Sequence, residues 1–156
     1  MSHFHFSVQI ILKHEGGFVD NPSDPGGATN HGISQRAYPN LDIKNLTARD
    51  AANIYRRDYW DVCQCEELPW PISLYVFDAG VNQGTGKAIR MLQSVLGVKQ
   101  DGVLGPVTLA AIENYPGVLG ADYLAERAVN YGQLAAFSIF GKGWMRRLFN
   151  TMDAGT

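Results

Sequence analysis

The chain has 156 residues, 46% of them hydrophobic, which is enough to bury one core with a small appended lobe. Thirteen basic residues stand against fifteen acidic ones, a formal net charge of -2 with no basic excess to hold nucleic acid. No stretch approaches the ~20 apolar residues that span a bilayer, so no stable membrane insertion is expected.

The elements follow in chain order. The N-terminus lacks a Lys/Arg-rich segment and a small-residue cleavage site, so it reads as a helix start rather than a signal peptide, with synthesis in the cytoplasm. Phe4, Val8, Ile11 and Leu12 recur at helical spacing and predict a helix over about 4–15, ended by Gly16 and Gly17. Glu15 continues that apolar stripe. Residues 16–34 hold too much Gly, Pro, Asp and Asn for a helix; 17–20 and 28–33 are expected to pair as a short β-ribbon around the turn between them. Thr47 with Asp50 has the form of a capping box before a helix carrying Ala51, Ile54, Tyr55 and Tyr59. Pro71 opens a helix reaching Gly84, and Thr85 starts another with Ile89, Leu92, Val95 and Leu96 on one face. A turn over 101–105 precedes a short helix from Pro106 to Ile112. After Pro116 and Gly117 comes a long helix over about 118–139, then a Gly-Lys-Gly break and a last short helix over 144–149. The expectation is a mainly α fold with one short β-ribbon.

Cys63 and Cys65 are the only cysteines, and with His3, His5, His14 and His31 they do not make a four-ligand set. Free thiols, no metal and no cofactor are expected. The densest cluster of unusual residues runs from Glu15 to Ile33: a carboxylate at a helix end, a second one at Asp24 in a rigid turn, and a hydroxyl at Thr29. Two such groups suit bond cleavage by proton donation, one giving the proton and the other steering a nucleophile. The donor must hold its proton near neutral pH, and apolar surroundings favour the neutral form of a carboxylic acid. Glu15 ends an apolar stripe; Asp24 stands in a polar turn, where Asp before Pro-Gly also has an ordinary turn-forming reading.

The block Glu-Gly-Gly-Phe-Val-Asp-Asn-Pro-x-Asp-Pro-Gly-Gly-x-Thr-x-x-Gly-Ile over 15–33 resembles the opening motif of glycoside hydrolase family 108. Tyr55 to Trp60 and Phe77 to Gly84 resemble its aromatic helix end and central helix. Asp101 to Thr108 and Phe140 to Arg147 resemble the peptidoglycan-binding region that follows in that family. The Glu, Asp, Thr order also looks like that of phage lysozymes, with Thr29 one residue early.

The resemblance implies a lysozyme-like fold, with a hydrolase region over 1–88 and a docked helical peptidoglycan-binding region over 89–156. It implies a muramidase of the endolysin or secretion type. Such an enzyme cuts the β-1,4 bond between N-acetylmuramic acid and N-acetylglucosamine for bacterial wall lysis. Glu15 would be the general acid, and Asp24, with Thr29 or Asn82, would place the water. Inversion is favoured over retention. Tyr75, Asp78 and Asn82 share a helix face, so Asp78 and Asn82 are candidate ligands for N-acetyl groups, though Asp78 could equally pair with an Arg. Tyr59 and Trp60 are candidate sugar-binding aromatics or, equally, core, and Tyr75 is a further candidate substrate-binding residue. His31 is placed on the ribbon. The expected partner is the glycan strand, met by a monomer in the periplasm or wall. Two rivals stay open: a lytic transglycosylase, and a non-catalytic wall-binding module.

Overall fold

The computed structural model describes residues 2–156. Helix α1 spans His3–Glu15; Ser2 caps it, its Oγ accepting the His5 N–H at 3.3 Å. It ends where Gly16 takes a φ of 75°, which glycine reaches without a Cβ clash. Ser7, Val8 and Ile11 form its buried stripe.

The ribbon differs in register from the expected one. Val19 and Thr29 make a single antiparallel bridge, exchanging both backbone bonds at 2.8 Å. The hairpin proper falls largely on the stretch read as one strand and ends one residue beyond it: β1 (Thr29–Asn30) pairs with β2 (Ile33–Ser34). His31 and Gly32 make the two-residue turn, with φ of 51° and 77°. Positive φ at both turn positions matches the twist of the flanking strands. Asn30 anchors the ribbon from inside: its buried amide donates to the carbonyls of Ile43, Lys44 and Leu46 at 3.0–3.4 Å.

Helix α2 (Ala48–Tyr55) starts at the expected capping box, with Thr47 Oγ1 accepting the Asp50 N–H at 3.1 Å. It continues into one π-helical turn, Arg56–Trp60. The wider turn carries Trp60 fully into the core while Tyr59 stays half-buried. A 3₁₀ turn at Cys65–Glu67 follows. Cys63 and Cys65 are free and buried.

Helix α3 (Ile72–Gln83) is the axis of the molecule. Every residue from Ile72 to Gly80 is buried, because α1, α4, α6 and α7 pack around it. Gly80 leaves room for Cys63, whose Sγ would sit 3.1 Å from an added Cβ. Helix α4 spans Thr85–Leu96 and α5 spans Pro106–Glu113. The loop between them is tied down by Gln93, 1% exposed, which accepts the Gly102 N–H at 2.8 Å and donates to Asp101 Oδ1 at 2.8 Å.

The C-terminal third departs from the sequence reading. Helix α6 (Leu119–Gly132) stops seven residues early, and α7 runs over Phe137–Gly155, the longest helix of the described residues. Gly141 is no breaker. It is buried inside α7 because the Phe137 ring fills the space a Cβ would need, with ring atoms 2.7–2.9 Å from it. The return of α7 across α6 and α3 to α1 outweighs the ~1 kcal/mol that each glycine costs in a helix.

One hydrophobic cluster includes Val8 and Ile11 from α1, Phe77 from α3, Leu92 from α4, Tyr123 from α6 and Leu148 from α7. The fold is mainly α, with one two-stranded ribbon among the described residues. Among the described residues, no helix is long and apolar enough to cross a membrane.

Candidate active site

Glu15 is the last residue of α1, and its side chain is 22% exposed. The hairpin turn lies directly against it. A Cβ on Gly32 would fall 2.7 Å from both Cβ and Cγ of Glu15 and 2.5 Å from the Tyr55 hydroxyl oxygen. Tyr55, buried at the end of α2, fixes the turn from below, its hydroxyl donating to the His31 carbonyl at 2.8 Å. Glycine at 32 therefore does two things: it makes the turn, and it lets the turn come down onto the carboxylate.

The surroundings of Glu15 are not the apolar ones expected. Arg147 of α7 donates from Nη1 to Glu15 Oε1 at 2.6 Å. The same guanidinium donates from Nε to Asp78 Oδ1 at 3.0 Å, with Nη2 2.9 Å from that oxygen. Asp78 is fully buried and meets a second guanidinium on its other oxygen, Arg127 Nη2 donating to Oδ2 at 2.9 Å. Arg127, also fully buried, donates from Nε to Gln83 Oε1 at 2.9 Å and from Nη2 to the Tyr131 hydroxyl at 3.3 Å. Tyr131 in turn donates to Asn82 Oδ1 in a short hydrogen bond. A continuous polar chain thus runs from Glu15 through α7, α3 and α6 to Asn82, which is exposed at the end of α3.

Charge settles within this chain. Burial works against ionisation of Asp78, but the guanidiniums of Arg127 and Arg147 hold its carboxyl below the usual carboxylate range. Burial likewise works against the charge on Arg147, and Asp78 and Glu15 overcome it, so its proton is held more tightly than usual. His14 is half-buried beside the pair, with Nε2 3.3 Å from Thr151 Oγ1. Burial lowers its pKa below the ordinary histidine value, outweighing the attraction of Asp78.

The remaining sequence candidates divide. Asp24 lies exposed in the turn that the Val19–Thr29 bridge closes, its Oδ1 accepting the Gly26 N–H at 2.8 Å. Thr29 is half-buried at the start of β1, and His31 is half-buried at the hairpin turn. Tyr59 is half-buried, its ring centroid 5.6 Å from that of Tyr55. Three candidates are corrected. Trp60 is wholly buried, edge-on to Phe4 and Phe77. Tyr75 is 3% exposed, and its hydroxyl donates to the Met152 carbonyl at 3.3 Å. Asp78 is a buried ion-pair centre and not a surface ligand. The shared helix face of Tyr75, Asp78 and Asn82 is core for its first two members, because α3 is enclosed until its last turn.

Arg147 and Gly32 are the residues that sequence reasoning passed over. Arg147 carried a signal: it falls three after Trp144 and four before Thr151, a charge on a stripe otherwise turned inward. Among the described residues, no group of three or more His, Cys, Asp and Glu side chains could hold a metal ion.

Comparison with known proteins agrees with this architecture. Residues 8–84 match glycosyl hydrolase 108, and residues 87–149 match a predicted peptidoglycan domain. The solved structure of Brucella abortus SagA is 35% identical, with a TM-score of 0.84, over 97% of this chain and 92% of that one. No curated protein matches this chain. The likeness extends through both regions and includes the Glu15 block, so the chain belongs to glycosyl hydrolase family 108 and is a peptidoglycan hydrolase.

Proposed function

We propose that the chain is an N-acetylmuramidase, cleaving the β-1,4 bond between N-acetylmuramic acid and N-acetylglucosamine, with Glu15 as its general acid. The observation that carries this is the setting of Glu15. It is a helix-terminal carboxylate, part exposed, pressed by a two-residue hairpin turn and gripped by one arginine. Two elements distant in sequence, the hairpin and α7, converge on this one carboxylate.

In the proposed reaction Glu15 gives its proton to the glycosidic oxygen as the bond from that oxygen to the anomeric carbon breaks. Water adds to the anomeric carbon from the other face and passes its spare proton to Asp24, with Thr29 or Asn82 helping to hold it. Attack from the opposite face inverts the sugar configuration. Asn82 also suits a second role. Tyr131 engages its Oδ1, which orients the amide at the surface for an N-acetyl carbonyl. Tyr59 and His31 are the proposed flanking contacts for the glycan. The enzyme acts on the wall, outside the membrane, as a step in lysis.

The test is digestion of purified peptidoglycan by the wild type and by Glu15→Gln, with product ends identified by mass spectrometry. Reducing muramic acid ends from the wild type, and none from a Glu15→Gln protein with an unchanged Tm, are expected. Anhydromuramic ends would replace the hydrolase with a transglycosylase. Wall binding without any chain shortening by the wild type would reduce the protein to a binding module.

A further inference from the structure

We propose that Arg147 of the C-terminal helix is a positioning residue for the general acid, so that the region matching the peptidoglycan domain completes the active site. This rests on the reading of Glu15 above.

A guanidinium is a rigid planar fork, and that of Arg147 is committed at two edges. One arm donates from Nη1 to Glu15 Oε1 at 2.6 Å, and the other edge donates from Nε to Asp78 Oδ1 at 3.0 Å. Asp78 cannot yield, because it is 0% exposed and its second oxygen is held by Arg127 at 2.9 Å. Arg127 is itself locked by Gln83. Arg147 is therefore fixed by α3 and α6 rather than by Glu15, and the carboxylate is oriented by it. With Oε1 taken and the hairpin turn against Cβ and Cγ, Oε2 is the oxygen left to carry the proton.

The charge on Arg147 bears on the departure of the proton, not on its retention. As the proton leaves Glu15, negative charge grows on a carboxylate whose partner is already in place and needs no reorganisation. The main chain of Arg147 is held too: Thr151 Oγ1 donates to the Arg147 carbonyl at 2.8 Å, and His14, next to Glu15 in α1, contacts the same hydroxyl. Helices α1 and α7 are thus joined at the site by two contacts, from adjacent residues of α1. A detachable wall anchor would not need either.

The experiment uses the full chain and a soluble glycan substrate cut from peptidoglycan, so that wall adsorption does not enter. Arg147→Ala and Arg147→Lys are measured for Tm, kcat and KM, with Glu15→Gln alongside. The expected result is a fall in kcat of about 100-fold for Arg147→Ala, the scale of a misplaced catalytic group, with KM within about threefold. Methylguanidinium, at concentrations that leave Tm unchanged, should restore kcat of Arg147→Ala by about tenfold and leave the wild type unaffected. Arg147→Lys, which keeps the charge but not the fork, should fold like the wild type and still lose most of kcat. Should Arg147→Ala fail to fold, Arg147→Lys decides: kcat within about threefold of wild type overturns the proposal. Wild-type kcat in a folded Arg147→Ala, or a loss that methylguanidinium does not recover, overturns it as well. If Glu15→Gln keeps full activity, the reading of Glu15 itself has failed; if Glu15→Gln is inactive while both Arg147 variants turn over normally, only the role of Arg147 is lost.

Discussion

Replacing Gly32 by alanine adds one methyl group where three constraints meet. The backbone there has a φ of 77°, and left-handed backbone costs a residue with a Cβ about 1 kcal/mol. The new Cβ would also stand 2.7 Å from two carbons of Glu15 and 2.5 Å from the Tyr55 hydroxyl. Overpacking of that kind costs about 2 kcal/mol after neighbours adjust. The sum, about 3 kcal/mol, corresponds to a Tm lower by roughly 6–12 °C for a chain of this size. Gly97 separates the two contributions. It has a similar φ of 68° with nothing within 4 Å of an added Cβ, so Gly97→Ala should lose the backbone part alone. The functional effect is separate from stability. Relief of the clash must move either the hairpin or the carboxylate, and a displacement on the order of 1 Å costs about 100-fold in rate. Thermal melts and soluble-glycan turnover on both variants make the check. If Gly32→Ala melts with Gly97→Ala and turns over like the wild type, the close approach of the hairpin to Glu15 is not a feature of the working enzyme.

Other perturbations follow from the buried chain and its neighbours. Asp78→Asn leaves two guanidiniums facing a neutral group and should cost about 3–5 kcal/mol in urea unfolding. Because the folded Asp78 carboxyl lies below its ordinary value, its contribution is complete above about pH 4 and is lost as pH falls through the depressed folded value. Acid titration of Asp78→Asn should lack that last loss. The folded His14 pKa also lies below the unfolded value of 6.5, so its effect has the same sign: stability is complete above 6.5 and falls as pH drops towards the folded value. Tm measured from about pH 7 to about pH 5 should therefore be flatter in His14→Gln than in the wild type. Gln93→Met keeps the volume but leaves the Gly102 N–H and Asp101 without their partner. It should cost about 2 kcal/mol and raise amide exchange over 101–105, with kcat unchanged.

Much of the fold is legible in the sequence because helices announce themselves by local rules. The Thr47 capping box, the proline before α3 and the apolar stripe of α1 each depend on residues within a few positions. Glu15 stands out for the same reason, as a charge continuing an apolar stripe. Two more residues obey that rule. Arg127 lies among Tyr123, Leu124 and Tyr131 on the buried side of α6, and Arg147 lies between Trp144 and Thr151 on α7. What no local rule supplies is the pairing. Arg147 meets Glu15 across 132 positions and Asp78 across 69, so a buried charge can be suspected from the sequence but its partner cannot be chosen. The hairpin escapes a sequence reading because His-Gly is a weaker turn signal than Asn-Gly, and 28–33 then passes for one strand. The C-terminal helix reads as short because Gly141 and Gly143 look like breakers. Only the packed Phe137 ring explains why a glycine belongs at 141.

The charge arrangement argues against treating the two matched regions as independent parts. Two carboxylates and two guanidiniums are drawn from four helices, α1, α3, α6 and α7. Buried ion pairs of this kind add little net stability compared with an apolar core of equal volume, since desolvation offsets most of the attraction. Breaking one is costly, however, so the network disfavours an arrangement of the four helices that separates its charges. The arrangement it favours is the one that brings the last helix of the chain against the last residue of the first. A wall-binding unit that folded apart from the hydrolase region would leave Asp78 without both guanidiniums and Glu15 without the one that holds its Oε1. Helix α7 is thus as much a part of the candidate active site as α1, although the two stand at opposite ends of the sequence.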